Sequence, residues 1–296
     1  MKQMNKLILV AGATGNLGQK ICRELIKRNV AVRAIVRTGS DEKKIKALED
    51  SGVDVFKVDL TNEQELISVC TGVSCIVSAL AGLYDVIVKT QTTLLNAAVK
   101  AGVPRFIPSD FSTDFTQMPA GENRNFDLRK EFHTILDKST IKATSIFNGA
   151  FADVLRYNIP LFNVQQKTIA YYEGKADWKI DFTTMNDTAA FTAMAATDDD
   201  APRSLRIASF RVSPNDLVKF SEQYKGSRFE LINMGSMIDF SAYNKAQRAA
   251  NPEGEKELYA KWQQSQYLYS MFLVHHEALD NDRYESLSWS PLEVNI

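Results

Sequence analysis

The chain has 296 residues, 45% hydrophobic and 24% charged, with 14 glycines and 8 prolines. That length suits one large domain or two ordinary ones, and the composition excludes bulk disorder and collagen-like structure. Thirty-five Lys and Arg against 36 Asp and Glu give a net charge of -1, which argues against a general nucleic-acid or polyanion binder.

The first strand is reached by Leu7 with no apolar leader before it, and no run approaches the roughly 18 apolar residues of a membrane span. The expectation is a soluble, cytoplasmic protein that binds neither membrane nor nucleic acid. Lys6 to Ala11 is a short apolar run that reads as a central parallel strand. Gly12-Ala-Thr-Gly15-Asn-Leu-Gly18 follows, then a helix with Leu17, Ile21, Leu25 and Ile26 on one side. Ala31 to Val36 is the next strand and ends in Arg37. A helix over 41–51 leads to a strand over 53–58, a helix over 63–70 and a strand over 74–78. A long amphipathic helix over 84–101, a strand over 105–108, a helix over 127–138 and a strand over 142–147 complete the series. This alternation predicts an α/β fold with a doubly wound parallel sheet of the Rossmann type. Ligands of such sheets bind beyond the carboxyl ends of the strands. Gly12 to Gly18, Ser78 to Gly82, Ser109 to Phe111 and Asn148-Gly149 are therefore candidates for one cleft.

Past residue 150 the pattern loosens. We expect residues 1–150 to form the cofactor-binding core and 151–296 mainly a smaller substrate lobe, with later segments returning to the sheet. Residues 168–172 and 178–182 flank Glu173-Gly174 as a hairpin would. Residues 186–197 read as a helix, 205–209 as a strand, and Ser213-Pro214 as a helix start. Asp181 is expected to be a solvated strand residue and Asp187 a helix cap. Tyr157, Phe162, Trp262 and Tyr267 suit an aromatic substrate or a plain core equally.

The three glycines of the first turn answer a steric problem. The chain must turn sharply, approach a pyrophosphate and let a helix pack on the sheet. Backbone N–H groups at the helix start then bind an anion without a charged side chain. At the end of the second strand an NAD site usually carries an acidic residue. Here Arg37 stands there, followed by Thr38 and Ser40, with Lys43 and Lys44 nearby. Arginine pairs with a 2′-phosphate, so NADP(H) is the expected cofactor. Asp59 either sits beside the adenine or caps the following helix. Three cysteines with no CxxC pair and three scattered histidines offer no recognisable metal site.

The glycine turn, Val36-Arg37, and Val103-Pro-Arg-Phe-Ile-Pro-Ser109-Asp110-Phe111 together resemble the NmrA-like and isoflavone reductase-like family of atypical short-chain dehydrogenases. The resemblance is strong through residue 150, looser to about residue 240 and thin beyond. It implies Gly12, Thr14, Gly15, Asn16, Leu17 and Gly18 at the pyrophosphate, and Arg37 at the 2′-phosphate. It also implies Ser78, Ala79 and Leu80 at the fourth-strand exit, with Ser109, Asp110, Phe111 and Asn148 near the nicotinamide.

One position departs from the pattern. Reductases of this family carry a catalytic lysine early in the helix before the sixth strand, and the matching residue here is Arg129, with Lys130 adjacent. The usual glycine before the strand is replaced by Lys138-Ser139-Thr140, so both residues are candidates. Arginine stabilises an oxyanion but does not exchange a proton near neutral pH. Lys130 takes the role only in another helical register, since a neighbour points about 100° away. His133, one turn on, is either a proton carrier or a satisfied helix histidine. Tyr171 and Lys175 have the spacing of the standard short-chain pair, but the hairpin between them argues against that role. The implied activity is NADPH-dependent reduction of a small apolar or aromatic carbonyl or conjugated alkene, by a monomer or homodimer. The alternative is a non-catalytic NADP(H)-sensing regulator with a protein partner.

Overall fold

The computed structural model describes residues 6–294. They form two compact units that interleave along the chain. One comprises Met1–Asp110, Leu128–Ile146 and Thr188–Leu205; the other comprises Phe111–Asp127, Phe147–Asp187 and Arg206–Ile296.

The first unit alternates strand and helix: β1 (Leu7–Ala11), α1 (Asn16–Lys27), β2 (Ala31–Val36), α2 (Glu42–Asp50), β3 (Asp54–Lys57), α3 (Glu63–Cys70) and β4 (Cys75–Ser78). A π-helical stretch, Asp85–Thr90, then runs into α4 (Gln91–Lys100), followed by β5 (Arg105–Ile107), α5 (Arg124–Leu136) and β6 (Lys142–Ala143). The sheet order is β3-β2-β1-β4-β5-β6, with all five pairings parallel. This is the doubly wound order, with its switch point between β1 and β4. The near-continuous apolar sequence of β1 follows from its central place, since Ile8 to Ala11 are wholly buried. Helix α1 buries Gly18, Ile21, Cys22 and Leu25, one stripe at helical spacing.

Helix α5 begins three residues earlier than the sequence suggested. Asn123 sets the start, its Oδ1 accepting the Phe126 N–H at 3.2 Å while its carbonyl takes the Asp127 N–H. The segment Thr188–Leu205 of the first unit includes most of a helix, α6 (Met185–Thr197). Buried Arg105 donates to the carbonyls of Ala195 (2.9 Å) and Asp198 at its C-terminal end and to Thr144 Oγ1 at 3.1 Å. Lys6 adds a bond to the Thr197 carbonyl at 2.6 Å. Cations satisfy the orphan carbonyls and oppose the negative end of the helix dipole.

The remaining elements are β7 (Ser145–Phe147), β8 (Ala150–Phe151), β9 (Thr168–Tyr171), β10 (Ile180–Thr183), β11 (Ser204–Arg206) and β12 (Phe210–Val212). After these come α7 (Pro214–Tyr224), β13 (Glu230–Asn233), α8 (Met237–Ala250) and α9 (Lys261–Leu273). Strand β11 pairs with β7. The expected hairpin does not form. β9 pairs parallel with β13, and β10 lies between β8 and β12. Tyr172 is the reason: its ring stacks on Phe240 with centroids 4.1 Å apart, and the Glu173 N–H bonds the Gly235 carbonyl at 2.7 Å, holding the chain to β13's side. Tyr171 thus lies in a strand, while Lys175 sits over the Trp178 ring at 3.8 Å, so the pair shares no helix face.

Two acidic side chains also differ from expectation. Asp181 is buried and takes Arg211 Nε at 2.5 Å and the His276 N–H at 2.8 Å. Thr184 Oγ1, not Asp187, receives a helix-start N–H, whereas the Asp187 carboxylate holds Ser209 and Ser290. Of the four aromatics singled out, Phe162 and Trp262 are core residues. Phe162 stacks on Phe229, and Trp262 lies under both Arg124 and Arg248. Tyr267 packs edge-on against Phe126, and Tyr157 is exposed. Burial pushes the Asp114 carboxyl pKa up, but hydrogen bonds from Thr116, Gln117 and Arg206, with the Arg206 charge, outweigh it and hold it low.

Arg105→Ala leaves the α6 carbonyls without their donor. It is expected to cost about 2–4 kcal/mol, seen as a lower urea midpoint with an unchanged slope.

Candidate active site

The turn after β1 has no room for side chains at two of its glycines. A Cβ on Gly12 (φ +79°) would lie 2.5 Å from the Ala79 carbonyl oxygen, and one on Gly18 only 2.2 Å from the Gly12 oxygen. Gly12 therefore lets the turn press on the β4 exit, and Gly18 lets α1 press on the turn. A Cβ on Gly15 would meet the Gly12 oxygen at 3.2 Å, a tight but less forbidding contact. Gly15 is also the N-cap of α1, with no side chain capping the helix and no acidic residue in its first turn. The first N–H groups of α1 thus await an acceptor. Gly15 and Asn16 are exposed, Thr14 and Leu17 half-buried, and Gln19 Nε2 braces the Thr14 carbonyl at 2.9 Å.

Arg37 is exposed just past β2, and the Ser40 N–H closes a turn onto its carbonyl at 3.0 Å. Asp41 caps α2 through the Lys43 N–H, and Glu42 is occupied by Lys57. The basic character of this strand end thus stays unneutralised. Asp59 is not the cap of α3; Asn62 is, accepting from Gln64 and Glu65. The Asp59 carboxylate instead closes the preceding turn by taking the Thr61 N–H (2.8 Å) and hydroxyl (2.7 Å). Those two bonds hold its pKa below the usual carboxylate value.

At the next strand ends the geometry tightens. The Ala79 N–H bonds the Ala11 carbonyl at 2.8 Å, extending the β1–β4 ladder. Ser78 is wholly buried, and its hydroxyl has no protein partner. Every polar group of Ser109 is used. Its N–H goes to Gln91 Oε1 at 2.9 Å, its hydroxyl to the Leu80 carbonyl at 2.6 Å, and its carbonyl accepts Arg129 Nε at 2.9 Å. Asp110 is wholly buried against His133, Oδ2 to Nε2 at 2.7 Å. Arg129 and His133 stand four apart on α5 and share one face; Lys130, half-buried, projects about 100° away.

In the second unit, Phe111 is buried. Asn148 follows β7 with its side chain wholly buried and neither amide atom hydrogen-bonded. Its carbonyl is taken by Thr183 Oγ1 at 2.6 Å. A buried amide without partners costs stability unless a ligand supplies them.

In the first unit these features fit a dinucleotide phosphate: a glycine turn with no room for a Cβ at Gly12 or Gly18, an uncapped helix start, an exposed arginine and, among the described residues, a buried hydroxyl at Ser78 without a partner. Two residues escaped the sequence reading. Gln91 is a wholly buried amide in the apolar stripe of α4 beside Leu94, Leu95 and Ala98, and that breach of periodicity was its signal. Arg203 reaches Ser145 Oγ at 2.5 Å and Asp137 at 2.9 Å, which nothing in its local sequence announces.

The sequence matches the model of the NmrA-like family over residues 4–237. It is 28% identical to "Probable pinoresinol-lariciresinol reductase 3" of Arabidopsis thaliana, over 73% of this chain and 72% of the relative. It is 26% identical to pinoresinol reductase 1 of the same plant, over 95% and 91%. The solved structure "AtPrR2 with NADP+ and (+)pinoresinol" superposes with a TM-score of 0.79 at 22% identity, covering 98% of this chain and 97% of that one. At that identity it speaks for the fold.

Gly18→Ala is expected to weaken NADPH at least ~10-fold, because the new methyl displaces the turn. Arg37→Ala should weaken NADPH by about 10- to 100-fold while leaving NADH nearly unchanged. Titration by nicotinamide fluorescence checks both, and an unaltered NADPH/NADH ratio would refute the Arg37 assignment.

Proposed function

This chain belongs to the NmrA-like family, and on that premise we propose that it is an NADPH-dependent oxidoreductase acting on a small apolar or aromatic carbonyl compound or conjugated alkene. The observation that carries this reading is the uncapped, glycine-cradled start of α1, with the partnerless buried hydroxyl of Ser78 in the same unit. Support for the substrate class comes from the relatives, which are named as reductases of pinoresinol and lariciresinol. No helix among the described residues is long and apolar enough to cross a membrane.

NADPH, when bound, supplies the hydride and the reducing electrons. The turn from Gly12 to Gly18, with Thr14, Asn16 and Leu17, would hold its pyrophosphate through backbone N–H groups. Arg37 would hold the 2′-phosphate. Ser78, Ala79, Leu80, Ser109, Asp110, Phe111 and Asn148 are the residues proposed to orient the nicotinamide end, and Asp59 the adenosine end. Arg129 presents a permanent positive charge beside the Ser109 carbonyl. That charge stabilises an oxyanion as it develops, without itself giving up a proton. The proton comes from Lys130 or from water. We assign His133 to holding the site in place instead of carrying the proton, since its Nε2 meets Asp110 and its Nδ1 faces Arg203 in a buried setting.

NADPH oxidation with aromatic aldehydes, quinones and enones is expected to show turnover with at least one class. Arg129→Ala should lower kcat by about 100-fold and Lys130→Ala by at least ~10-fold. Tight nucleotide binding with no oxidation across the panel would instead mark a nucleotide-sensing regulator.

A further inference from the structure

The corner after β5 is held by an arrangement that extends beyond the groups placed at the reacting centre. Helix α5 grips two consecutive residues of that corner from one face. Arg129 Nε bonds the Ser109 carbonyl at 2.9 Å, and four residues on, His133 Nε2 meets Asp110 Oδ2 at 2.7 Å. On the far side of the imidazole, Nδ1 faces Arg203 Nη2 at 3.4 Å, and Ser145 Oγ lies 3.5 Å from Nε2. Arg203 is itself fixed, by Asp137 Oδ1 through Nε (3.2 Å) and Nη2 (2.9 Å) and by Ser145 Oγ through Nη1 (2.5 Å).

Donor and acceptor chemistry then decides the tautomer. A guanidinium has donors only, so the nitrogen facing it must accept. The ring proton therefore sits on Nε2 and points at the Asp110 carboxyl. Asp110, Ser109, Arg129 and His133 form one connected set, with Arg203 as its outer anchor. The surroundings are dry: Asp110 is 0% and His133 8% exposed. In such a setting each unmade bond is costly.

We propose that His133, held in its Nε2–H tautomer by Arg203, is a positioning residue that fixes the Ser109–Asp110 corner, and with it the guanidinium of Arg129, for the reduction. This rests on the reductase reading. Hydride transfer is sensitive to small displacements, and a misplacement of about 1 Å can cost ~100-fold in rate. A corner with every Ser109 polar group committed, and the next carboxyl locked by a single tautomer, is preorganised in that sense.

The test compares His133→Gln with His133→Phe. Glutamine brings an N–H donor to the Nε2 position and keeps an oxygen acceptor beside it, whereas phenylalanine keeps the volume and removes both. His133→Gln is expected to retain kcat within about threefold and His133→Phe to lose ~10- to 100-fold, both with NADPH affinity within about threefold of wild type. A merely structural histidine would lower the melting midpoint in the Phe variant and leave kcat per folded molecule unchanged. That outcome overturns the proposal, as does a Gln variant as slow as the Phe variant. Should His133→Phe fail to fold, Arg203→Met, at a partly exposed position, serves instead. NMR of the imidazole nitrogens should then show the single Nε2–H tautomer of the wild type replaced by a mixture, with kcat reduced about 3- to 10-fold. An unchanged tautomer and rate refute the inference. A wild-type protein inactive on the whole substrate panel overturns the reductase reading and this inference with it. An active wild type whose His133→Phe variant keeps its kcat overturns the inference alone.

Discussion

The Gly12 backbone is where three elements of the first unit meet at less than side-chain distance. Its own missing Cβ makes room for the β4 exit at Ala79, and the missing Cβ of Gly18 makes room for its carbonyl. Any methyl at either place would have to move a backbone, not a flexible side chain. The switch point between β1 and β4 thus brings the sheet and the start of α1 into register at one point, and the ligand-binding edge inherits that geometry. An uncapped N-terminus at such a place would be a defect in an inert protein. The N–H groups of Asn16, Leu17 and Gly18 at this uncapped start favour an anion, which is why the turn reads as a site and not as a loop.

A second constraint sits one layer out, in α5. Because Asn123 caps the helix through the Phe126 N–H, the phases of Arg129, Lys130 and His133 are fixed together. Arg129 and His133 then share a face, and Lys130 cannot. In this phase Arg129 is the side chain tied to the Ser109 carbonyl. Helical periodicity also explains why the two gripping residues act on neighbours in the corner. One turn of helix advances about 5.4 Å, comparable to the span of two extended residues.

The sheet was legible because its sequence obeys one rule throughout: apolar strands, amphipathic helices, and glycine or a cap at each junction. Every parallel strand through β5 lies where the alternation put it, to within a residue or two. Legibility failed where packing between distant segments decides. Tyr172 looks like a hairpin residue locally, yet its stacking on Phe240 sends β9 to β13. Asp181 sits in an alternating segment that suggests solvent, yet Arg211 and the His276 backbone draw it inside. Asp59 and Asn62 offered the same chemistry for one cap, and only geometry chose Asn62. The site shows the same division. Gly12, Gly18 and Arg37 announce themselves by local sequence, whereas Gln91 and Arg203 matter through partners 18 and 58 residues away.

The arginine at position 129 carries a chemical consequence for any reductase built this way. A lysine in that place can both stabilise negative charge and exchange a proton, because its pKa shifts when it is buried. A guanidinium does only the first. The two duties must then be separated, with charge stabilisation kept at the corner and the proton brought from elsewhere. Separation puts a premium on placement, since a group that cannot move a proton contributes only through where its charge stands. The structure meets that demand by fixing Arg129 through Ser109, and Ser109 through Gln91 and Leu80. The near-zero net charge of the whole chain thus conceals two cations at different depths, Arg37 exposed past β2 and Arg129 half-buried against the Ser109 carbonyl.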